Sequence, residues 1–362
     1  MSEEIFRSEN LLARARCGFS DRFCVVTFDS YTDDRTLERQ GFGETYFASI
    51  GVDAIHVLQR NNRWYAHPEM TELCRAVHSR VQGYGRVITY GSSMGGYAAI
   101  RFGAVVGAQE ALALSPQFSI NPAVARFEKR WVEAELVDFS AERQSSDRFV
   151  ARSTIAYDPR NLDARHVELY RDRTEVVPVA FPYAGHPCSG FLQQVQMLKP
   201  LVEEVLFERL DPPTFTAEAH RRRRQSPDYF MTIARHNRSL RRREQLAARA
   251  VALSQHHPDV VAKHAWWLAE AGDLATARAT LEAAALAPDR TPAVLLYLSK
   301  IAELQGDKAA AITVMDTLLA SHPEVTAFIR RRELLVHPIT ALLPRRGMRS
   351  LIERVRLVLS RS

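Results

Sequence analysis

The segment Val87–Gly103, VITYGSSMGGYAAIRFG, places two serines between glycines where an apolar run changes into an Ala-rich stretch with helical spacing. Its centre, Gly91–Gly95, has the pattern G-x-S-x-G, which is typical of a sharp turn from a strand into a helix. By register, Ser93 is the candidate nucleophile, and Ser92 is expected to pack. Such a turn exposes the serine hydroxyl beside unpaired helix N–H groups, which favour developing negative charge.

A serine hydroxyl needs a base, and the base needs an orienting acid. Asp158 directly follows the apolar run TIAY and is the candidate acid, while His186 lies in the glycine-flanked loop AGHP and is the candidate base. Asp163 is the alternative acid, but we expect it to cap the helix around His166. Two alternatives remain open: Asp158 forms only a turn hydrogen bond, or His186 is a surface-loop histidine.

The elements that must position these residues follow from the alternation of short apolar runs with longer helical stretches. Continuous apolar runs separated by crossover helices predict an α/β fold with a doubly wound, mostly parallel sheet. The predicted parallel strands are Phe23–Phe28, Val52–Leu58, Val87–Tyr90, Ala111–Leu114, Thr154–Tyr157 and Val176–Phe181. The predicted helices include Glu69–Val81, Met94–Val105 and Gly190–Phe207, and Leu12–Arg16 is expected to be an antiparallel edge strand.

One connection in this pattern, Ser115–Arg152, is long for a single crossover. It is rich in aromatic residues, namely Phe118, Phe127, Trp131, Phe139 and Phe149. We therefore expect an insertion over residues 116–152 that forms a cap above the carboxyl ends of the strands.

Residues from about 11 to 208 resemble the α/β-hydrolase superfamily, in which the chain order is serine, acid, histidine. The resemblance is carried by GSSMGG at the turn, AYDP after a strand and AGHP before a helix. It implies that Ser93 is the nucleophile, Asp158 the acid and His186 the base. It also implies that the backbone N–H of Met94 is one oxyanion donor.

The resemblance places a second oxyanion donor in the loop after an early strand, which here reads FDSYTDD. Ser30 and Tyr31 are the candidates for that donor. Asp29 would oppose an oxyanion, so we expect it to orient a substrate hydroxyl or to hold the loop. Aromatic and amide side chains after other strands suit a sugar or another hydroxylated ligand, and the candidate contacts are Asn61, Asn62, Trp64, Tyr65 and Gln117.

The strand pattern ends at DPPTFT, so we predict a hydrolase domain over 1–210, a connection over 211–240 and helical repeats over 241–362. A 34-residue spacing relates Gly272 to Gly306, Ala277 to Ala311 and Leu281 to Met315. This period resembles the tetratricopeptide repeat, with two clear units and one degenerate unit. Such repeats either bind a protein partner or pack against their own neighbours, and both readings stay open.

Composition excludes several classes of protein. The formal charge of +6 comes mostly from arginine, which is typical of a GC-rich bacterial genome, and no aromatics alternate with the arginine clusters as in single-strand nucleic-acid binding. Four cysteines without paired spacing, no secretory signal and no run of about 18 apolar residues favour a cytoplasmic protein. We expect no metal or other cofactor. The tail over 344–362 predicts a basic amphipathic helix that either lies on a membrane surface or, as we prefer, caps the repeats.

The leading functional hypothesis is a serine hydrolase that cleaves a carboxylic ester, de-acylating a carbohydrate or small metabolite. Acyl transfer to an acceptor other than water uses the same three residues and is an alternative. A second alternative, from a different class, is an interaction protein that acts through its helical repeats.

Overall fold

A computed structural model describes residues 2–135, 137–139, 149–323 and 325–336 of the chain. The chain divides into two compact units, Met1–Gln225 and Ser226–Ser362. Residues 211–225, which the sequence suggested as part of a connection, lie in the first unit. There Asp211 accepts a hydrogen bond from the backbone N–H of Thr214 at 3.1 Å, and the two prolines that follow open a helix.

The first unit is built around an eight-stranded sheet with the strand order β1-β2-β4-β3-β5-β6-β7-β8. Strand β2 pairs antiparallel with both β1 and β4, and every other pairing is parallel. The strands are β1 (Ser2–Arg7), β2 (Leu11–Arg16), β3 (Phe23–Phe28), β4 (Asp53–Gln59), β5 (Arg86–Ser92), β6 (Glu110–Leu114), β7 (Arg152–Tyr157) and β8 (Glu175–Ala180). The predicted fold class, an α/β fold with a mostly parallel sheet followed by a helical region, is confirmed.

The helices of the first unit connect these strands. They are α1 (Glu44–Ser49), α2 (Met70–Arg80), α3 (Met94–Phe102), α4 (Asp163–Tyr170), α5 (Cys188–Gln194), α6 (Leu198–Leu206) and α7 (Pro212–Arg222). The single helix expected over Gly190–Phe207 is interrupted, because Gln196 adopts a positive φ of 58° between α5 and α6. The antiparallel strand expected at the edge is β2, but β1 lies outside it.

The central strands are buried along their length, since helices cover the sheet and leave no solvated face there. Strand β4 is buried at each of its residues, and β5 at all but its first. The resulting apolar core includes Val26, Ile55, Val87 and Ile100. This packing holds the carboxyl ends of the parallel strands in fixed positions, and the candidate residues lie at that edge.

The second unit is helical. Its described helices are α8 (Pro227–His236), α9 (Leu240–Leu253), α10 (Pro258–Glu270), α11 (Leu274–Ala285), α12 (Pro292–Leu304), α13 (Lys308–Ser321) and α14 (Thr326–Val336). Among the described residues, no helix is both long enough and apolar enough to span a bilayer. The predicted amphipathic helix over 344–362 lies outside the residues that the structure describes.

Candidate active site

The turn between β5 and α3 presents Ser93 in a strained backbone conformation. Its φ is 53° and its ψ is −116°, which L-residues adopt only when the surroundings enforce it. Two glycines make the turn possible: a Cβ on Gly91 would lie 2.3 Å from the backbone of Gly95, and a Cβ on Gly95 would lie 2.3 Å from the carbonyl oxygen of Phe28. The G-x-S-x-G spacing is therefore required by close backbone approach.

The structure brings Ser93 and His186 together at the carboxyl edge of the sheet. The Oγ of Ser93 lies 3.0 Å from Nε2 of His186, which is hydrogen-bonding distance. The other ring nitrogen, Nδ1, lies 3.0 and 2.9 Å from the two carboxylate oxygens of Asp163. A serine, an imidazole and a buried carboxylate thus form one continuous hydrogen-bonded chain, as general-base activation of a hydroxyl requires.

The carboxylate that contacts His186 is that of Asp163, whereas Asp158 was the candidate preferred from the sequence. The carboxylate of Asp158 is fully buried, and it accepts hydrogen bonds from the backbone N–H groups of Arg160, Tyr183 and Gly185 at 2.8, 3.0 and 2.9 Å. Asp158 therefore fixes the loop before His186, and the carboxylate hydrogen-bonded to the imidazole is that of Asp163. The expectation that Asp163 caps its helix is also not met: the N-cap residue is Leu162, and Asp163, the first residue of α4, directs its carboxylate to His186 and Arg130.

Asp163 remains charged although it is fully buried. Burial raises the pKa of its carboxyl, but the neighbouring charge and hydrogen bond of His186 and the charge of Arg130 together hold that pKa below its ordinary value. The Arg130 guanidinium lies 3.1 Å from Asp163 through Nη1. For Asp158, burial and the neighbouring charge of Asp163 outweigh the backbone N–H donors and raise the pKa of its carboxyl.

Gln117 was predicted as a substrate contact, and the structure places it against the candidate nucleophile itself. Its Nε2 donates to Ser93 Oγ at 3.0 Å and lies 3.2 Å from Nε2 of His186. The side chain is buried, and the backbone carbonyl of Gln117 accepts a hydrogen bond from the Tyr170 hydroxyl at 2.7 Å. An amide donor is thus fixed beside the atoms between which the proton would move.

The loop after β3 lies next to the turn, as expected for a second oxyanion donor. The hydroxyl of Ser30 donates to the carbonyl of Ser92 at 3.0 Å, and the Tyr31 hydroxyl donates to Glu133 at 2.8 Å. Met94 is the first residue of α3, so its N–H has no acceptor within the helix. The backbone N–H groups of Met94, Ser30 and Tyr31 remain our candidate oxyanion donors.

Asp29 is not available to a substrate hydroxyl. Its carboxylate lies 2.6 Å from the Arg39 guanidinium and accepts the backbone N–H of Phe42 at 3.2 Å. Burial nevertheless raises the pKa of Asp29 to about 6. Of the two roles expected for this residue, the structure favours the one that holds the loop.

The residues after β4 divide into two groups. Asn62 exchanges hydrogen bonds with the backbone of Thr32, and Tyr65 is buried with its hydroxyl donating to the Asp29 carbonyl at 2.9 Å. We therefore withdraw both as substrate contacts, because their polar atoms are already occupied. The carbonyl of Asn61 accepts the N–H of Arg63 at 2.8 Å, which makes Asn61 part of a tight turn.

Trp64, by contrast, contributes to an aromatic cluster beside the imidazole. The ring of Trp131 lies 5.8 Å from that of His186, 5.1 Å from that of Trp64 and 5.8 Å from that of Tyr31. Sequence reasoning named Trp131 only as one aromatic residue of a predicted cap. The signal that could have singled it out was the charged segment EKRW in the middle of the insertion, where Glu128 and Arg130 are also directed to the site.

Among the comparisons with known proteins, only the comparison of structures found similar proteins. No protein-family model matches the sequence, and no curated protein is significantly similar to it. The chain is similar to the capsule O-acetyltransferase of Neisseria meningitidis serogroup A, with 14% identity, 55% of this chain and 93% of that chain covered, and a TM-score of 0.39. It is also similar to Est1E from Butyrivibrio proteoclasticus, with 14% identity, coverages of 56% and 98%, and a TM-score of 0.37. A third similar structure is the Glycosylation Associate Protein (Gap123) complex from Streptococcus agalactiae, with 15% identity, coverages of 58% and 48%, and a TM-score of 0.43.

Proposed function

We propose that the protein is a serine hydrolase that cleaves a carboxylic ester through Ser93, His186 and Asp163. One observation carries the proposal: Ser93 Oγ lies 3.0 Å from His186 Nε2, while His186 Nδ1 lies 2.9 Å from a fully buried carboxylate. This arrangement supplies a nucleophile, its base and the group that orients the base.

In the proposed reaction, Ser93 Oγ attacks the ester carbonyl carbon while His186 Nε2 takes the hydroxyl proton. Asp163 stabilises the imidazolium that forms, and the N–H of Met94, with a donor from the loop after β3, stabilises the oxyanion. His186 then returns the proton to the departing alcohol, which leaves an acyl ester on Ser93. Water then attacks that ester while His186 takes its proton; His186 returns the proton to Ser93 Oγ as the bond to the acyl group breaks, and the carboxylic acid is released.

The substrate class we propose is an ester of a sugar or of another small hydroxylated metabolite. The aromatic cluster of Tyr31, Trp64 and Trp131 supports it, because flat apolar rings with a polar edge suit hydroxylated ligands. The indole N–H groups of both tryptophans are buried, and neither has a hydrogen-bond partner within the described residues. A ligand oxygen would satisfy a donor that otherwise costs folding free energy.

Acyl transfer to an alcohol is the second candidate, and a specific observation favours it. Ser93 is only 5% exposed, and the Trp131 ring packs beside His186. A site that excludes water protects an acyl-enzyme from hydrolysis until an acceptor binds. The ratio of alcoholysis to hydrolysis, measured with an added polyol, separates the two candidates.

The proposal is tested with nitrophenyl esters of graded acyl length and with the variant Ser93→Ala. We expect turnover by the wild-type protein, and a residual rate for the variant no more than roughly 10³–10⁴-fold above the uncatalysed reaction. Ser92→Ala, which alters the adjacent buried serine, is the matched control and should keep most of the activity. Near-full turnover by Ser93→Ala would refute the proposal.

For the second unit we propose tetratricopeptide-like repeats that bind a protein partner. Equivalent positions 34 residues apart share conformation: Gly272 and Gly306 have positive φ, and Asp273 and Asp307 each cap the following helix. Positions related by the same spacing are fully buried in both copies, namely Ala277, Ala311, Leu281 and Met315. Co-purification of a partner that depends on residues 226–362 tests this proposal.

A further inference from the structure

The inserted segment between β6 and β7 places Arg130 against the candidate acid and Glu128 against Arg130. Arg130 directs Nη1 to Asp163 Oδ1 at 3.1 Å, and its Nε and Nη2 contact the carboxylate of Glu128 at 3.1 and 2.6 Å. Glu128 is almost completely buried, with a side-chain exposure of 1%. The guanidinium therefore joins two buried carboxylates, and one of them orients His186.

The far end of this network is fixed by a histidine whose protonation can be assigned. His166 Nδ1 accepts the backbone N–H of Phe118 at 3.1 Å, so its proton lies on Nε2 and is donated to Glu128 at 2.9 Å. Burial lowers the pKa of His166, which keeps it neutral. Burial raises the pKa of the Glu128 carboxyl, but hydrogen bonds from His166 and Arg130 outweigh burial and hold that pKa well below its ordinary value.

While both histidines are neutral, Asp163, Arg130 and Glu128 have a summed charge of −1. When His186 is protonated, the summed charge of these three residues and His186 is zero. Arg130 offsets one of the two carboxylates, so the imidazolium formed during catalysis faces one uncompensated negative charge instead of two. Because Nη1 is hydrogen bonded to Oδ1, the guanidinium also limits rotation of the Asp163 carboxylate.

We propose that Arg130 is a positioning residue for the reaction: it holds the Asp163 carboxylate against His186 and, paired with Glu128, limits the negative charge that the imidazole faces. This inference rests on the proposed function. Two residues of the predicted cap, Glu128 and Arg130, then contribute to the geometry and charge of the site. The ionisable groups that face Asp163 and His186 from the surrounding elements are Arg130, Glu128, His166, Asp158 and Cys188.

The test is the pH dependence of kcat/KM for 4-nitrophenyl acetate in the full-length protein, compared with Arg130→Met. Without the guanidinium the imidazole faces more negative charge and holds its proton more tightly. The acid limb of the profile should therefore move to higher pH by about one unit. Lys129→Met removes an exposed cation from the same segment and should leave the profile unchanged.

A second variant keeps the test decisive if Arg130→Met fails to fold. Glu128→Gln combined with Arg130→Met removes a positive and a negative charge together, and glutamine still accepts the His166 proton. We expect this double variant to fold and to return the acid limb to within about half a pH unit of wild type. The kcat/KM of the double variant should be about 10-fold below that of the wild type, because Asp163 has lost its positioning donor.

The outcomes separate the inference from the function on which it rests. If the Arg130→Met or double variant keeps both the wild-type pH profile and the wild-type kcat/KM while Ser93→Ala is inactive, the role of Arg130 is refuted and the proposed function stands. If Ser93→Ala keeps wild-type turnover, the proposed function itself fails.

Discussion

Two aspartates contact the segment that carries His186, and their surroundings give them different roles. Asp158 accepts backbone N–H groups and shapes the loop, whereas Asp163 faces the ring and is paired with a guanidinium. A carboxylate that already accepts three backbone N–H groups has little capacity left to orient an imidazole. The same residue type therefore serves the fold at one position and the proposed chemistry at the other.

The variant Asp163→Asn should lower kcat for ester hydrolysis by about 10⁴-fold, because an amide can hold the imidazole in the wrong tautomer. Asp158→Asn should instead act mainly on stability, since the loop N–H groups lose a charged acceptor, at a cost of about 1–3 kcal/mol. Steady-state kinetics and denaturant unfolding of both variants check the assignment. A larger loss of kcat in folded Asp158→Asn than in Asp163→Asn would contradict it.

The candidate nucleophile and the candidate base were predictable from the sequence, and the candidate acid was not. Ser93 is marked by a local glycine pattern, and His186 by a glycine-flanked loop next to a strand. Asp158 and Asp163 both follow the same strand, and only the path of the connecting turn decides which one reaches the ring. Arg130 and Trp131 were beyond local reasoning for the same reason, because they approach from a long insertion.

At the level of elements, the turn between β5 and α3 depends on how closely it approaches β3. The Gly95 Cα lies against the end of that strand, and a Cβ there would meet the carbonyl oxygens of Phe28 at 2.3 Å and Asp29 at 2.8 Å. These are backbone atoms of the last residue of a buried central strand and of the residue after it, so they cannot move independently of the sheet. The strand that leads into the candidate oxyanion loop and the turn that carries Ser93 are thus positioned by one contact.

The substitution Gly95→Ala should therefore destabilise the first unit by about 3 kcal/mol, at the upper end of the range for overpacked sites. Gly96→Ala is the matched control: its Cβ would meet neighbours no closer than 3.2 Å, including the side chain of Pro116, so its cost should be smaller. Thermal and urea unfolding measure both. Equal stability of the two variants would show that the contact with β3 does not constrain the turn.

The helices and strands themselves were largely predictable, because period and apolar runs are local properties. The break in the predicted helix at Gln196 and the outer strand β1 were missed. β1 has exposed or half-exposed residues throughout, so it lacks the apolar run that marked the other strands. Its pairing with β2 is a tertiary contact that no short-range pattern specifies.

For the molecule as a whole, buried carboxylates make the first unit sensitive to acid. Asp163 and Glu128 have folded-state pKa values below the ordinary 3.8 and 4.5, so each contributes stability above those values and loses it as the pH falls. Asp158 and Asp29 act in the opposite sense, because burial raises their pKa values and protonation favours the folded state.

We expect Glu128 to contribute a fall in the free energy of unfolding of the first unit as the pH drops below about 4.5, the ordinary pKa of its carboxyl. Glu128→Gln should reduce that fall, because one strongly coupled carboxylate no longer titrates. Hydrogen exchange of β5 and α3 at several pH values reports on this unit alone. Glu168→Gln, which changes an exposed glutamate, is the control, and the same pH dependence in both variants would contradict the expectation.

The most direct measurement of the central claim is covalent labelling with a fluorophosphonate, followed by peptide mass spectrometry. Such a probe reacts with a serine hydroxyl only when a neighbouring base activates it. We predict a single adduct on the peptide containing Ser93, formed much more slowly in Asp163→Asn and at nearly the wild-type rate in Asp158→Asn. Folded wild-type protein that stays unlabelled, or an adduct that persists in Ser93→Ala, would contradict the account.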